Sequence, residues 1–287
     1  MHCAELPAGP ARPQGAAGRA PDRVPTAAAG ALGPAASRGR RQRHAAKGNG
    51  IPDENGTHPS KAIERLLFNN RQWAKHMASK DPKFFPKCAE GQSPEYLWIG
   101  CSDSRVVTNT ITGLQPGEIF THRNVGNIVA HGDLNCMSVV EYAVGSLKVK
   151  HVIVCGHYGC GACDAALRMP METPGMLNSW ISRIRDVKHM WASSLEQLPE
   201  EERLPRLCEL NAITQALHMC DSAPIQAAWA AGQELCVYGM IYGLGDGALT
   251  SLIGPISSAQ QAREARQSFE KSGGAVGAAS NGVSAVA

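Results

Sequence analysis

The sequence predicts an α/β fold, with a mostly parallel central sheet flanked by helices and a helical arm ahead of it. Three observations carry this. Short apolar runs at 96–101, 150–155 and 234–242, and a short stretch at 118–123 after a Pro-Gly turn, read as strands, and helical patterns fall between them. Strand, helix, strand in that order gives parallel pairing through right-handed crossovers. Two chemically loaded stretches, Cys101-Ser102-Asp103-Ser104-Arg105 and Cys155-Gly156-His157-Tyr158-Gly159-Cys160-Gly161, each follow an apolar run. Ligands in such sheets sit beyond the carboxyl ends of the strands, where both stretches fall.

The chain has 287 residues. Residues 1–55 read as a disordered or targeting extension, rich in Ala, Gly, Pro and Arg, with too few large apolar residues to offset ordering entropy. Residues 272–287 are Gly, Ala, Ser and Val for the most part and read as a flexible tail. The span between, 56–271, is long enough for one substantial core.

The formal charge of +3 is modest, and its basic excess gathers near Arg38-Gly39-Arg40-Arg41-Gln42-Arg43. A near-neutral core argues against a nucleic-acid protein. No run reaches about 18 apolar residues, so no membrane span is expected. The ten cysteines lack the spacing of a small disulfide scaffold. This points to a reducing, intracellular compartment. The Arg- and Ala-rich N-terminus has only Glu5 and Asp22 as acids and resembles an organelle transit peptide, although a plain extension fits equally; the expected compartment is cytoplasmic or mitochondrial.

In chain order, Ile63, Leu66, Leu67, Trp73, Ala74 and Met77 make one stripe of a helix over 60–78, with Ser60 as its cap. Asp81-Pro82 and Phe85-Pro86 are expected to break it, leaving a loop through Gly91 and Pro94 to the strand at 96–101. Pro116-Gly117 is a turn before the strand at 118–123. Asp133 caps a helix over 134–147, in which Met137, Val140, Val144 and Leu147 are apolar. After the strand at 150–155, residues 175–221 read as mostly helical, interrupted near Leu198-Pro199 and Pro205, and 224–231 as one further short helix. A strand over 234–242, a turn at 243–247 and a last extended piece at 248–253 complete the sheet.

Two thiolates and an imidazole suit zinc in a tetrahedral site, and Cys101, His157 and Cys160 can supply the three, leaving a fourth position open. On spacing alone, a redox or structural cluster remains an alternative. Cys136, Cys155, Cys208, Cys220 and Cys236 read as core, Cys163 as a remote candidate for a fourth ligand, and Cys3 and Cys88 carry no signal. Asp103 and Arg105, two apart on a turn, can form a bidentate pair that orients the carboxylate and keeps it ionised. Such an Asp can accept a hydrogen bond from a metal-bound water or hydroxide. Released by Arg105, it can instead occupy the fourth position and shut the site. The bland reading is a surface ion pair of little worth.

The two metal motifs, with Gly113-Leu-Gln-Pro-Gly-Glu118, His122-Arg-Asn-Val125, Asp133-Leu-Asn-Cys136 and Leu210-Asn211, resemble the β class of carbonic anhydrases from about Leu66 to Leu252. The resemblance implies zinc on Cys101, His157 and Cys160, and interconversion of carbon dioxide and bicarbonate by attack of zinc-bound hydroxide. It implies that Asp103 orients the hydroxide and Arg105 holds Asp103. Phe120, Val125 and Tyr142 would line the carbon dioxide pocket, and Gln92 would donate a hydrogen bond to substrate; core packing and a solvent-facing loop are the plain readings of these four. Trp98, Arg123 and Tyr242 match a subset of the family with a second, non-catalytic bicarbonate site; hence inhibition by bicarbonate, and activity falling below roughly pH 8 as Asp103 takes the zinc, is expected. For Trp98 and Tyr242 packing is the plain alternative.

The chain departs from the family pattern at Gly126, where Ala is usual, at Met240-Ile241, near a more common Trp pairing, and at Ala162-Cys163, where Gly and an aliphatic residue are usual. The family fold is a homodimer, often paired into tetramers, with N-terminal helices reaching across the partner and the cleft at the dimer interface. His122, His131 and His151 are unranked candidates for a proton shuttle. The competing readings are a hydrolase of another linear triatomic molecule such as carbon disulfide, which would show in a rate assay with both substrates, and a non-catalytic zinc protein, which would close its site with a fourth protein ligand. A nucleotide-binding protein would carry a Gly-rich phosphate loop that this sequence lacks.

Overall fold

The structure is a computed structural model, and it describes residues 59–274. The extension at 1–55 and most of the expected tail lie outside the described residues. The elements run in the order α1 (Pro59–Lys80), α2 (Phe84–Glu90), β1 (Tyr96–Cys101), α3 (Thr108–Thr112), β2 (Ile119–Asn124), α4 (Leu134–Glu141), β3 (His151–His157), α5 (Gly161–Arg168), α6 (Met176–Trp180), α7 (Ser182–Met190), α8 (Ala192–Glu196), α9 (Glu200–Asp221), α10 (Ala223–Ala230), β4 (Cys236–Tyr242), β5 (Leu249–Ile256) and α11 (Ala259–Lys271). The strands form one sheet in the order β2-β1-β3-β4-β5. The first three pairings are parallel and β4 with β5 is antiparallel.

Parallel strands need both faces covered, so they read as continuous apolar runs. In β1 every residue after Tyr96 is buried. Leu97 and Ile99 of β1 and Val152 and Val154 of β3 point into the larger core, with Val140, Ile184, Leu207, Leu210 and Ile213 from the helices. Trp98, Ile153 and Cys155 point the other way, into a smaller cluster with Tyr96, Ile111, Ile119, Tyr238, Met240 and Tyr242. The expected α/β fold with a mostly parallel sheet is what the structure has.

Several local expectations need correction. Phe85-Pro86 does not break the chain: Pro86 sits in the first turn of α2, where a backbone N–H has no helical partner to lose. Pro205 lies inside α9, not at an interruption. It is exposed, as is Glu201 four residues before it, so the carbonyl left without an N–H reaches water. The helix capped by Asp133, whose side chain accepts from Asn135 N, changes at Tyr142 into a π-helical turn through Ser146. Helices α3, α5 and α11 were not expected from the sequence. Gly274, read from the sequence as tail, is buried, and a Cβ there would stand 2.9 Å from both Leu210 and Trp191. Among the described residues no helix is long and apolar enough to cross a membrane.

The arm is exposed on its apolar side. Ile63, Leu66, Leu67, Phe68 and Trp73 of α1 all face solvent in the single chain. Trp73 packs edge-on against Phe84 and Phe85 of α2, with centroids 6.3 and 5.7 Å away.

Candidate active site

Cys101 is the last residue of β1 and His157 the last of β3, and these strands are neighbours in the sheet. Cys160 ends the turn after β3 and stands at the N-cap position of α5. Adjacent parallel strands thus bring distant residues to one end of the sheet. The ligand atoms of Cys101, His157 and Cys160 lie within 4.8 Å of one another, and all three residues are buried. The two sulfurs are 3.9 Å apart.

The histidine reveals what the cluster is for. His157 Nδ1 donates to Tyr158 O at 3.0 Å, since a carbonyl can only accept. In the neutral ring Nε2 then carries the lone pair. It is buried and has no hydrogen-bond partner. A buried polar atom left unpaired is costly, and such exceptions mark functional groups or a bound ion. Two soft sulfurs and one free imidazole nitrogen fit zinc with a fourth position to spare. Cys163 is buried outside this group, so no fourth protein ligand closes it among the described residues. Cys160 holds the Cys101 thiol above its ordinary value, and Cys101 in turn holds Cys160 down. A metal would need both sulfurs deprotonated.

Asp103 faces this cluster. Its carboxylate accepts from Arg105 Nε at 2.9 Å on Oδ1 and from Arg105 Nη2 at 2.7 Å on Oδ2, and Arg105 N adds a third bond to Oδ1 at 3.0 Å. The Arg105 guanidinium holds the Asp103 carboxyl far below the usual carboxylate range, with burial opposing it. Asp103 Oδ2 lies 3.7 Å from the free His157 Nε2. Arg123 braces the same loop, donating from Nε and Nη2 to Cys101 O at 3.0 and 2.8 Å and from Nη2 to Asp103 O at 2.6 Å.

The other expected site residues fall into three places. Val125 is beside the cluster: it precedes Gly126, whose N–H donates to Cys101 Sγ at 3.4 Å. Phe120 and Tyr142 meet each other at a centroid distance of 5.8 Å. They are not beside the metal ligands of their own chain, because Phe120 pairs with Leu97, four residues and about 13 Å along the sheet from the level of Cys101. Gln92 lies in a separate groove with Lys87, Cys88 and Pro116. Trp98 and Tyr242 share the smaller core cluster, and Arg123 is level with Gly100 on the neighbouring strand. Trp98 is fully buried, its indole lies over Gly100 where no Cβ intervenes, and its Nε1 has no partner.

Among the shuttle candidates, His151 starts β3 and so stands about 20 Å of strand away from His157. It stacks on Tyr96 and bonds Tyr238 OH instead. His131 Nε2 donates to His218 O at 2.7 Å, and His122 is buried next to Asn124.

Two features escaped the sequence reading. Asn211 and Gln215 of α9, both fully buried, hold the loop that carries Gly126. Tyr158 OH donates to Glu209 at 2.7 Å, and Arg206 donates to the same carboxylate at 2.7 Å and to Gly274 O. The available signal was a pair of amides one turn apart on an otherwise apolar helix face.

Comparison with known proteins agrees with this geometry. A family model described as carbonic anhydrase matches residues 96–249, which spans both metal motifs. A carbonic anhydrase of Emericella nidulans is 46% identical over 190 residues, covering 66% of this chain and 82% of that protein. The chain belongs to the carbonic anhydrase family, in its β class. A Coccomyxa β-carbonic anhydrase solved with acetazolamide superposes with a TM-score of 0.69 at 44% identity, over 73% of this chain and 97% of that one. A tetrameric β-carbonic anhydrase of Sordaria macrospora gives 0.66 at 39% identity, over 69% of this chain and 100% of that one. Zinc is the metal of this family, and the Cys101, His157 and Cys160 group fits it.

Proposed function

We propose that this chain catalyses the reversible hydration of carbon dioxide to bicarbonate and a proton. The observation that carries the reading is the buried, unpartnered His157 Nε2, set among two sulfurs and faced by an Asp103 carboxylate that Arg105 holds. Cys101, His157 and Cys160 would hold one zinc ion. Bound there, zinc would supply a Lewis acid able to acidify water from about 15.7 toward about 7. Asp103, kept ionised by Arg105, is an acceptor only, and it orients the attacking oxygen by taking its hydrogen bond. Val125 contributes an apolar wall beside Cys101. Phe120, Tyr142 and Gln92, distant from their own chain's ligands, serve the cleft of a second copy. The exposed apolar side of α1 supports a homo-oligomer, and the Sordaria relative is tetrameric. The nine free cysteines among the described residues support a reducing, intracellular compartment.

The test is stopped-flow carbon dioxide hydration with zinc content measured on the same sample. One zinc per chain and fast hydration, lost on chelation, is the expected result. Fast hydration by metal-free protein would overturn the reading.

A second bicarbonate site at Trp98, Arg123 and Tyr242 is favoured by one observation: Trp98 Nε1 is a buried donor with no acceptor. An anion there would meet that N–H and the Arg123 guanidinium. It would compete with the carbonyls of Cys101 and Asp103 for Arg123, and so loosen the loop that carries Asp103. Inhibition by bicarbonate follows from that competition, and an Asp103 so released would take the fourth metal position, with activity falling below roughly pH 8. Residues 1–55 are proposed to lie outside the catalytic unit, which begins at 56 and runs past the expected end at 271 to Gly274, whose carbonyl Arg206 holds.

A further inference from the structure

The N–H of Gly126 rests on the sulfur of Cys101, at 3.4 Å, yet Gly126 has no side chain with which to fix its own orientation. The loop around it is left-handed at two successive residues, Gly126 at φ +83 and Asn127 at φ +47. A conformation of that kind persists where the surroundings over-determine it. The surroundings are two side chains of α9. Asn211 Nδ2 donates to Gly126 O at 3.0 Å. Gln215, one turn on, donates from Nε2 to Asn211 Oδ1 at 3.0 Å and accepts Val129 N on Oε1 at 2.8 Å. Asn124 closes the loop from the strand side, accepting Ile128 N at 2.7 Å and donating to Ile128 O at 2.8 Å. Asn211 and Gln215 are both 0% exposed. A fully buried amide pair is therefore linked, through the single residue Gly126, to a metal ligand.

We propose that Asn211 and Gln215 are positioning residues for the metal centre: they hold Gly126 so that its N–H stays on the Cys101 sulfur. A hydrogen bond to a thiolate draws charge from it, and partners of this kind orient ligands and tune the metal they hold. The chain spends two buried amides on a ligand that the strand alone already places. This inference rests on the zinc reading above. A network that served only to satisfy the loop backbone would change stability and leave the metal's properties alone.

The test compares full-length wild type with Asn211→Leu and Gln215→Met, each loaded with zinc and, separately, with cobalt. The readouts are zinc dissociation under chelator competition and the energy of the sulfur-to-cobalt charge-transfer band. Asn211→Leu is expected to weaken zinc binding about 10- to 100-fold, the range found for outer-shell partners. Its charge-transfer band moves to lower energy, because a sulfur without its N–H donor gives up charge more readily. Gln215→Met moves both readouts the same way by less, and the double variant is no worse than Asn211→Leu. Unchanged affinity and an unchanged band in either folded variant would overturn the proposal, and if Asn211→Leu does not fold, Gln215→Met decides by the same two readouts. A wild-type chain that takes up neither metal would sink the zinc reading instead, before any variant is compared.

Discussion

Arg105 grips Asp103 with two parallel bonds, Nε to Oδ1 at 2.9 Å and Nη2 to Oδ2 at 2.7 Å, while Asp103 Oδ2 stands 3.7 Å from the free nitrogen of His157. The carboxylate is thus held ionised at the mouth of the metal group and kept out of it. A planar fork makes this possible, and a lysine has none. Arg105→Lys is therefore expected to behave almost as Arg105→Ala, each lowering kcat by about 100-fold through misplacement of Asp103. Zinc content stays at the wild-type level. A fully active Arg105→Lys would mean that the pair is only a surface contact.

The two departures from the family pattern at Gly126 and Ala162 touch each other. A Cβ at Gly126 would come within 2.8 Å of Ile184 Cδ1 and 3.1 Å of the Ala162 methyl, on a residue whose φ is +83. Gly126→Ala is expected to destabilise the fold by about 1–3 kcal/mol, as overpacking does. Adding Ala162→Gly recovers part of the loss, so the two changes are not additive in urea unfolding. Simple additivity would refute the compensation.

Burial holds the His218 imidazole below its ordinary value, with His131 and Arg266 pushing the same way and Asp221 opposing. His122 is lowered by burial as well, against Asp133. The folded chain then binds fewer protons than the unfolded chain below the ordinary histidine value. Stability from these residues is present above about pH 6.5 and is lost as the pH falls through their lowered values. Urea midpoints are expected to fall between about pH 7 and pH 5, and to fall less in His218→Gln. An equal fall in that variant would remove His218 from the account.

Trp98 Nε1 is buried over Gly100 and has no hydrogen-bond acceptor. Trp98→Phe keeps the ring packing and deletes the donor. It is expected to leave hydration in low bicarbonate near wild type and to weaken bicarbonate inhibition about tenfold, the worth of one hydrogen bond at roughly 1.4 kcal/mol. Unchanged inhibition would make Trp98 a packing residue and nothing more.

The sheet was legible because parallel strands buried on both faces are written as unbroken apolar runs, as in Leu97-Trp98-Ile99 and Val152-Ile153-Val154. The metal group was legible because Cys101 and His157 terminate two such strands and Cys160 follows His157 by three residues. Helices α3, α5 and α11 were not, being short or strongly polar and stabilised by what they pack against. Pro86 and Pro205 misled because a proline's cost depends on whether its missing N–H would have had a partner and whether the freed carbonyl is wet. Phe120 and Tyr142 were recognisable as residues yet not as to place: strand register puts them at the far end of β1 from Cys101, a distance that no motif encodes. The Asn211–Gln215–Gly126 relay needed tertiary contacts between residues 85 and 86 positions apart.

The central claim is that this cluster hydrates carbon dioxide and that Asp103 takes part without holding the metal. Stopped-flow hydration by wild type and Asp103→Ala, with zinc determined on the same samples, tests it most directly. The account predicts fast, zinc-dependent hydration in wild type and a collapse in the variant while zinc remains bound. Bound zinc with no hydration in wild type at any pH up to about 9 would contradict it, since a water acidified to about 7 is fully available there.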